Sequence, residues 1–466
     1  MPTATRCARA RRTVRTGRPE MRFFEDLKIV ALTQGWVGPL ATRILSDLGA
    51  NMVRVERAFT PGGNYGNRTL FPPRNDITGE VWNRNIYFTV RNAGTRSAMI
   101  DLGQEEGRAL VRRLISEADA VVENFMPGVV ARLGFDFKEL HEQFPHLILL
   151  HLSGFGQTGP NAFRPANGMT MEPASGVPTV TGYHGEGPTK TGQTWVDPYS
   201  GLHGTAALIA ALIHRDRTGE GQIIDVSMQE ATLPVLESQF ADYQRNGRHQ
   251  TRDGNRRPGM VRGAYPCAGD DDWVAISLRD EAEWQAFCRA SGHEAWLDDP
   301  RFGDAASRTE HHDALDELIA AWTRERDKFE IAALLQAAGA PAGPILKADE
   351  VIADPHLAAR EFFDDLKIGD FGRVPIQRYL PAKFDGAAVP AKGPAPDLGA
   401  DTDAVLAELG LSAAEIEDLH ERRVADRASD LQSDPIAREG TQLPFEDYEE
   451  MGSVLRIDRD YAPKPL

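Results

Sequence analysis

The chain has 466 residues, enough for two or three domains and a sizeable core. It is 41% hydrophobic and 26% charged, with a net charge of −17, a balance that argues against non-specific binding to nucleic acid or anionic membrane. No apolar run reaches the roughly 18–20 residues that cross a bilayer.

The first twenty residues, MPTATRCARARRTVRTGRPE, carry six Arg and a single acid. They lack an apolar signal region, so two readings stay open: a targeting peptide, or an over-extended start with Met21 as the true one. Either way residues 1–22 are expected to form a disordered leader. From Leu27 the pattern is strand, helix, strand. LKIVAL is a short apolar run. GPLATRILSDLGA places Leu40, Ile44, Leu45 and Leu48 on one helical face and stops at Gly49, and NMVRVER is the next strand. RSAMIDL, DAVVENF and HLILLHLSGFG read as further strands, with EEGRALVRRLISEA as a helix between the first two. Alternation of this kind implies a parallel sheet with helices on its faces, a Rossmann-like unit. The dinucleotide fingerprint G-x-G-x-x-G is absent from TQGWVGPLATR, which counts against a nicotinamide or flavin enzyme.

In TGQTWVDPYSGLHG, Asp197 and Pro198 read as N-cap and first residue of a helix, buried from about Gly201 to His214. IIDVSMQEATLPVLESQF gives a short strand and a helix. The Arg- and Gly-rich stretch from Asn246 to Pro258 reads as a linker. A second compact region follows, with the strand DWVAISL and the amphipathic helices EAEWQAFCRAS, HDALDELIAAWTRE and KFEIAALLQAAG. His311–His312 reads as a solvated helix face. The three cysteines, Cys7, Cys267 and Cys288, show neither metal-ligand spacing nor a disulfide framework, so a cytoplasmic setting is expected. The expected division is a large domain over 23–245, linker and small α/β domain over 246–380, a segment over 381–425 returning to the large domain, and an irregular tail over 426–466 with no assigned role.

There is no P-loop, no G-x-S-x-G elbow and no H-E-x-x-H. The order of short motifs is more specific: GPLATRILSDLGANMVRVER, RNAGTRSAMIDL, ADAVVENFMPGVVARLGFDF, LSGFGQTGP, TKTGQTWVDPYSGLHGTAALIAALIHRDRTGEGQIIDVSMQEA and GAYPCAGDDDWVAI. Together, from about Leu27 to Leu419, they resemble the class III CoA-transferases, the family of formyl-CoA and crotonobetainyl-CoA transferases with α-methylacyl-CoA racemase as a side branch. The resemblance implies a large Rossmann-like CoA-binding domain, a smaller α/β domain and an interlocked homodimer. It also implies an acyl-CoA donor and a carboxylic-acid acceptor as partners. CoA is then part of the substrate, with no tightly bound cofactor and no metal.

By the same resemblance Asp197 is the catalytic carboxylate. It attacks the acyl-CoA thioester to form a mixed anhydride and then an aspartyl-CoA thioester that the acceptor resolves. Arg57, Asn124, Phe125 and Arg132 fall at CoA-contacting positions, the guanidiniums suited to phosphate and Phe125 to adenine. LSGFGQTGP reads equally as an ordinary loop or as a pocket wall. Trp36 stands where formyl-CoA transferases have a glutamine that shields the intermediates, and Asn167 and Gly168 replace their Tyr–Glu pair. A bulkier, less polar acyl group than formyl or oxalyl is therefore expected. The racemase histidine aligns with Asn167, which cannot act as a base. Glu172 is a second carboxylate, either orienting the acceptor acid or simply part of a helix. The rival readings are a 2-methylacyl-CoA racemase or isomerase, and a CoA-binding protein without turnover.

Overall fold

The structure, a computed structural model, describes residues 22–56, 68, 73, 80–427 and 457. The Arg-rich leader through Met21 with Cys7, the expected CoA contact Arg57, and nearly all of the tail lie outside the described residues.

Six strands, β1 (Lys28–Leu32), β2 (Asn51–Glu56), β3 (Arg96–Ile100), β4 (Ala120–Glu123), β5 (Ile148–Ser153) and β6 (Ile223–Ser227), lie in the order 3-2-1-4-5-6. This is the doubly wound order expected of a Rossmann-like sheet. The pairs β1–β2, β2–β3, β1–β4 and β4–β5 are parallel. A seventh strand, Ala425–Asp426, pairs antiparallel with β3 at the edge. All six residues of β5 are buried, as continuous apolar strands become when helices cover both sheet faces. The core joins Val30, Val121 and Leu149 of the sheet to Val111 and Ile115 of a covering helix.

The helices of this half are α1 (Val37–Asp47), α2 (Ile86–Asn92), α3 (Glu105–Ser116), α4 (Val129–Arg132) and α5 (Phe137–Gln143). Where the apolar spacing predicts one buried face for α1, all eleven of its residues are buried, Arg43 and Asp47 included. The two polar side chains pair one turn apart, Arg43 Nε to Asp47 Oδ2 at 2.8 Å, and Arg43 also donates to the Val90 carbonyl. Burial pushes the Asp47 carboxyl up to about 6 in spite of Arg43 beside it.

Two further helices follow in the chain, α6 (Gly168–Ser175) and α7 (Val196–Thr218). The expected buried helix over 201–214 is longer than predicted and has an exposed side that includes Leu202 and Ile213. Its small residues have a purpose. A Cβ on Gly201 would crowd the Val37 carbonyl and Leu40 of α1, and one on Gly204 would crowd Leu152 of β5.

Contacts divide the chain into two units: Met1–Leu152 with Gly201–Asp225 and Asp364–Leu466, and Ser153–Ser200 with Val226–Phe363. The sequence-based boundary at 245/246 thus falls inside the second unit, and 153–200 groups with that unit rather than with the sheet. Composition could not mark the crossing at 200/201, because it lies inside the uninterrupted helix α7.

The second unit is built on the antiparallel sheet β7 (Val261–Pro266), β8 (Trp273–Leu278) and β9 (Ala342–Ile345). Helices Glu281–Ser291, His312–Thr323 and Lys328–Ala337 pack on it through Trp284, Phe287, Ile319 and Ile331. His312 is not on a solvated face. It is buried, with Nδ1 3.0 Å from Asp316, and Asp316 also takes Arg256 and the Tyr265 hydroxyl. Cys267 and Cys288 are free and buried, their thiols pushed up by burial to about 11 and about 12. Among the described residues no helix is long and apolar enough to cross a membrane.

A buried charge cluster joins β2 to β3 in the first unit. Glu56 accepts from Arg68 Nε at 2.8 Å and Nη2 at 2.6 Å, pairs with Arg54 at 3.2 Å, and takes the Ser97 hydroxyl. Burial alone would raise its carboxyl, but Arg68 and Arg54 outweigh it and hold it down to about 2, below the ordinary 4.5. A carboxylate depressed in the fold contributes stability that is complete above pH 4.5 and lost as pH falls toward 2. Glu56→Gln should therefore destabilise the first unit by about 3–5 kcal/mol at pH 7, since two buried guanidiniums lose their partner. It should also flatten the acid limb of the stability profile below pH 4.5. Urea unfolding of both proteins across that range checks both outcomes.

Candidate active site

Asp197 lies in the first turn of α7 but is not its cap. The helix begins at Val196, with Asp197 second and Pro198 third, and the Tyr199 N–H already reaches the Trp195 carbonyl at 3.1 Å. Proline is harmless there because the first N–H groups of a helix have no partner within it. Those same groups favour negative charge at this end. Asp197 is half-buried.

Its carboxylate rests against Gly168, the first residue of α6: a Cβ built on Gly168 would overlap Asp197 Oδ2. The start of α6 is fixed by Asn167, whose side-chain oxygen accepts the Thr170 N–H at 3.2 Å while Thr170 Oγ1 accepts the Asn167 N–H at 3.1 Å. Asn167, the expected auxiliary residue, is therefore the helix cap. Behind this turn a Cβ on Gly154 would overlap Ala166 and crowd Met171. The glycine-rich loop after β5 thus supports α6 from below.

Glu172, one turn beyond Gly168, is fully buried. It accepts the Thr191 N–H at 2.9 Å and the Thr191 hydroxyl at 2.8 Å, and Lys190 Nζ lies 3.3 Å from Oε2. Lys190 in turn donates to the carbonyls of Thr191, at 2.6 Å, and Gln193, at 3.3 Å. The carboxylate ties down the segment that delivers Asp197.

The other expected residues belong to the first unit. Asn124 follows β4 and spans the loop after β1, accepting the Gln34 N–H at 2.7 Å and donating to the Gln34 carbonyl at 2.8 Å. With Thr33, its oxygen would crowd a Cβ on Gly38, at 2.8 Å. Phe125 is half-buried at the rim of the sheet core, its N–H on Glu123. Arg132 is exposed at the end of α4. Trp36 is half-buried beside Leu40, Ile44 and Val389 and carries the Arg91 guanidinium 4.3 Å from its ring centroid, with Tyr87 on the same cation at 4.9 Å. His203 is exposed on α7. Sequence reasoning missed Arg91, the seat at Gly168 and the Thr191–Lys190 partners of Glu172. The only local signal was the Asn-x-x-Thr cap that announces α6. Among the described residues no cluster of three His, Cys, Asp or Glu is placed to hold a metal.

Comparison with known proteins agrees with this architecture. Residues 24–402 match the family model for CoA-transferase family III. The chain is 32% identical to succinyl-CoA–D-citramalate CoA-transferase of Chloroflexus aurantiacus over 77% of its own length and 87% of that protein's. It is also 32% identical to succinate–glutarate CoA-transferase of Agrobacterium fabrum, over 82% and 94% of the two chains. The crystal structure of a CaiB/BaiF family protein from Brucella suis superposes with a TM-score of 0.75 at 33% identity, covering 83% of this chain and 98% of the other. The protein is an enzyme of the CoA-transferase class. Within that class the chain belongs to CoA-transferase family III, as the motif order implied.

The contact at Gly168 gives a sharp expectation. Its backbone is outside the left-handed region, and alanine suits a helix better than glycine. Gly168→Ala should fold with an unchanged circular dichroism spectrum yet force the Asp197 carboxylate aside, lowering CoA transfer about 100-fold. Steady-state assay beside thermal melting checks this.

Proposed function

We propose that the protein is an acyl-CoA:carboxylate CoA-transferase with Asp197 as nucleophile. A carboxylate oxygen of Asp197 attacks the thioester carbonyl carbon. The C–S bond breaks, CoA leaves as thiolate, and an acyl–aspartyl anhydride remains. The thiolate attacks the aspartyl carbonyl, expelling the donor acid as its carboxylate and leaving an aspartyl-CoA thioester. The acceptor carboxylate attacks that thioester, and the released thiolate then takes the acceptor's acyl group from the new anhydride, restoring Asp197. The observation that carries this reading is the half-buried Asp197 carboxylate in the first turn of α7, seated on a residue with no side chain to cover it.

Arg132 and Arg57 are assigned to CoA phosphates and Phe125 to the adenine face, while Asn124 shapes the loop that carries Trp36. Asn167 caps α6, and its amide cannot act as a base, so position 167 gives the racemase reading no proton acceptor. The expectation of a bulkier acyl group than formyl or oxalyl is narrowed by two relatives named for succinyl-CoA and for glutarate, so succinyl-CoA is the first donor to test. The same reading assigns a homodimer, supported by exposed Leu202 and Ile213 on α7 and by Phe240 and Tyr243 nearby in sequence.

With succinyl-CoA and a panel of dicarboxylic acids, Asp197→Ala should lose transfer by at least about a thousandfold while still binding CoA. Hydroxylamine added during wild-type turnover should yield a peptide modified at Asp197 by mass spectrometry. Full activity in the alanine variant would overturn the assignment.

A further inference from the structure

We infer that Glu172 is a positioning residue of the transfer reaction, setting the pose of Asp197 by locking the chain that leads into it. The inference rests on the reading of Asp197 as nucleophile. Gly168 and Glu172 are one turn apart on α6 and so share a face. The first receives the Asp197 carboxylate, and the second receives Thr191 and Lys190, six and seven residues earlier in the chain.

Between α6 and α7 the chain has a single 3-10 turn, Val177–Thr179, and otherwise no regular structure. Its approach to Asp197 is held largely by side chains, and Glu172 takes two hydrogen bonds from Thr191 and an ion pair from Lys190. Both of its oxygens are occupied, and the Lys190 ammonium bridges it to two further carbonyls, Thr191 and Gln193. A fully buried carboxylate is a poor device for stability alone, because an apolar pair of the same size does as well or better. It does supply direction: three donors with fixed geometry leave the segment one arrangement. Helix propensity gives no alternative reason for it, since α6 contains Gly168 and Pro173 in eight residues.

Glu172→Gln keeps the shape but offers one acceptor oxygen, turns an amide NH2 toward donors and strips Lys190 of its counter-charge. With succinyl-CoA as donor and glutarate as acceptor, kcat should fall about 10- to 100-fold. KM for succinyl-CoA should stay within about twofold, because only the reacting carboxylate is displaced. The fraction of enzyme trapped by hydroxylamine in the first turnover should fall with kcat. Thr191→Val, which removes one donor and leaves the carboxylate in place, should show the same pattern at about 3- to 10-fold, and it decides the matter if the glutamine variant does not fold. Wild-type kcat in both folded variants would overturn the inference, and so would losses that merely track the folded fraction. Failure of the nucleophile reading is a separate result, seen as full transfer by Asp197→Ala.

Discussion

Everything proposed for this site depends on one steric fact: the Asp197 carboxylate occupies the space that any side chain at position 168 would fill. A helix start usually hides its first residues under a cap or against a neighbour. Here the cap is Asn167, which bonds back to Thr170 of its own helix, and Gly168 beside it takes the Asp197 carboxylate. The same economy of volume recurs beneath it, where Gly154 lets Ala166 and Met171 close in. Two positions without side chains thus shape the turn against which the Asp197 carboxylate rests, and the buried Glu172 bonds the chain at Lys190 and Thr191.

The first unit supplies rigidity by different means. Small residues on α7 let it touch the backbone of α1 and the side chain of Leu152. Buried charges link the unit's elements: Arg43, paired with Asp47 in α1, donates to the Val90 carbonyl of α2, and Glu56 of β2, paired with Arg54 and Arg68, takes the Ser97 hydroxyl of β3. Asn124 works on the same principle with neutral groups, joining the ends of β1 and β4 through both polar atoms of its amide. The loop that carries Trp36 is therefore held at Gln34, and the Arg91 guanidinium lies over the Trp36 ring.

Most of the sheet was legible because its strands are short, continuous apolar runs between helices whose ends are marked by glycine or by acidic first turns. The ordered motifs likewise pointed to the family. What sequence reading missed shares one cause, dependence on partners distant in the chain. Glu172 reads either as an acceptor-orienting carboxylate or as part of a helix until Thr191 is seen on it. Asn124, expected at a CoA-contacting position, gives no sign in sequence of its bond to Gln34, 90 residues away. His312 reads as solvated because its neighbours are charged, yet those neighbours fold over it. The start of α7 was misplaced by two residues because Asp-Pro is tolerated anywhere in a first turn, so the pair marks the turn and not the cap.

The discontinuous division of the chain bears on how it is made. The parallel sheet of the first unit begins with residues that leave the ribosome early, but its outer strand, Ala425–Asp426, leaves almost 330 residues after the β3 strand it covers (from Arg96 to Ala425). Until then β3 is an open edge, the kind of surface on which sheets aggregate. Ser97 meanwhile waits for Gly399 and Asp401, and Met99 for Thr402. Nascent chains stalled before residue 399 should thus be the most chaperone-dependent form of this protein, whatever the stability of the finished enzyme.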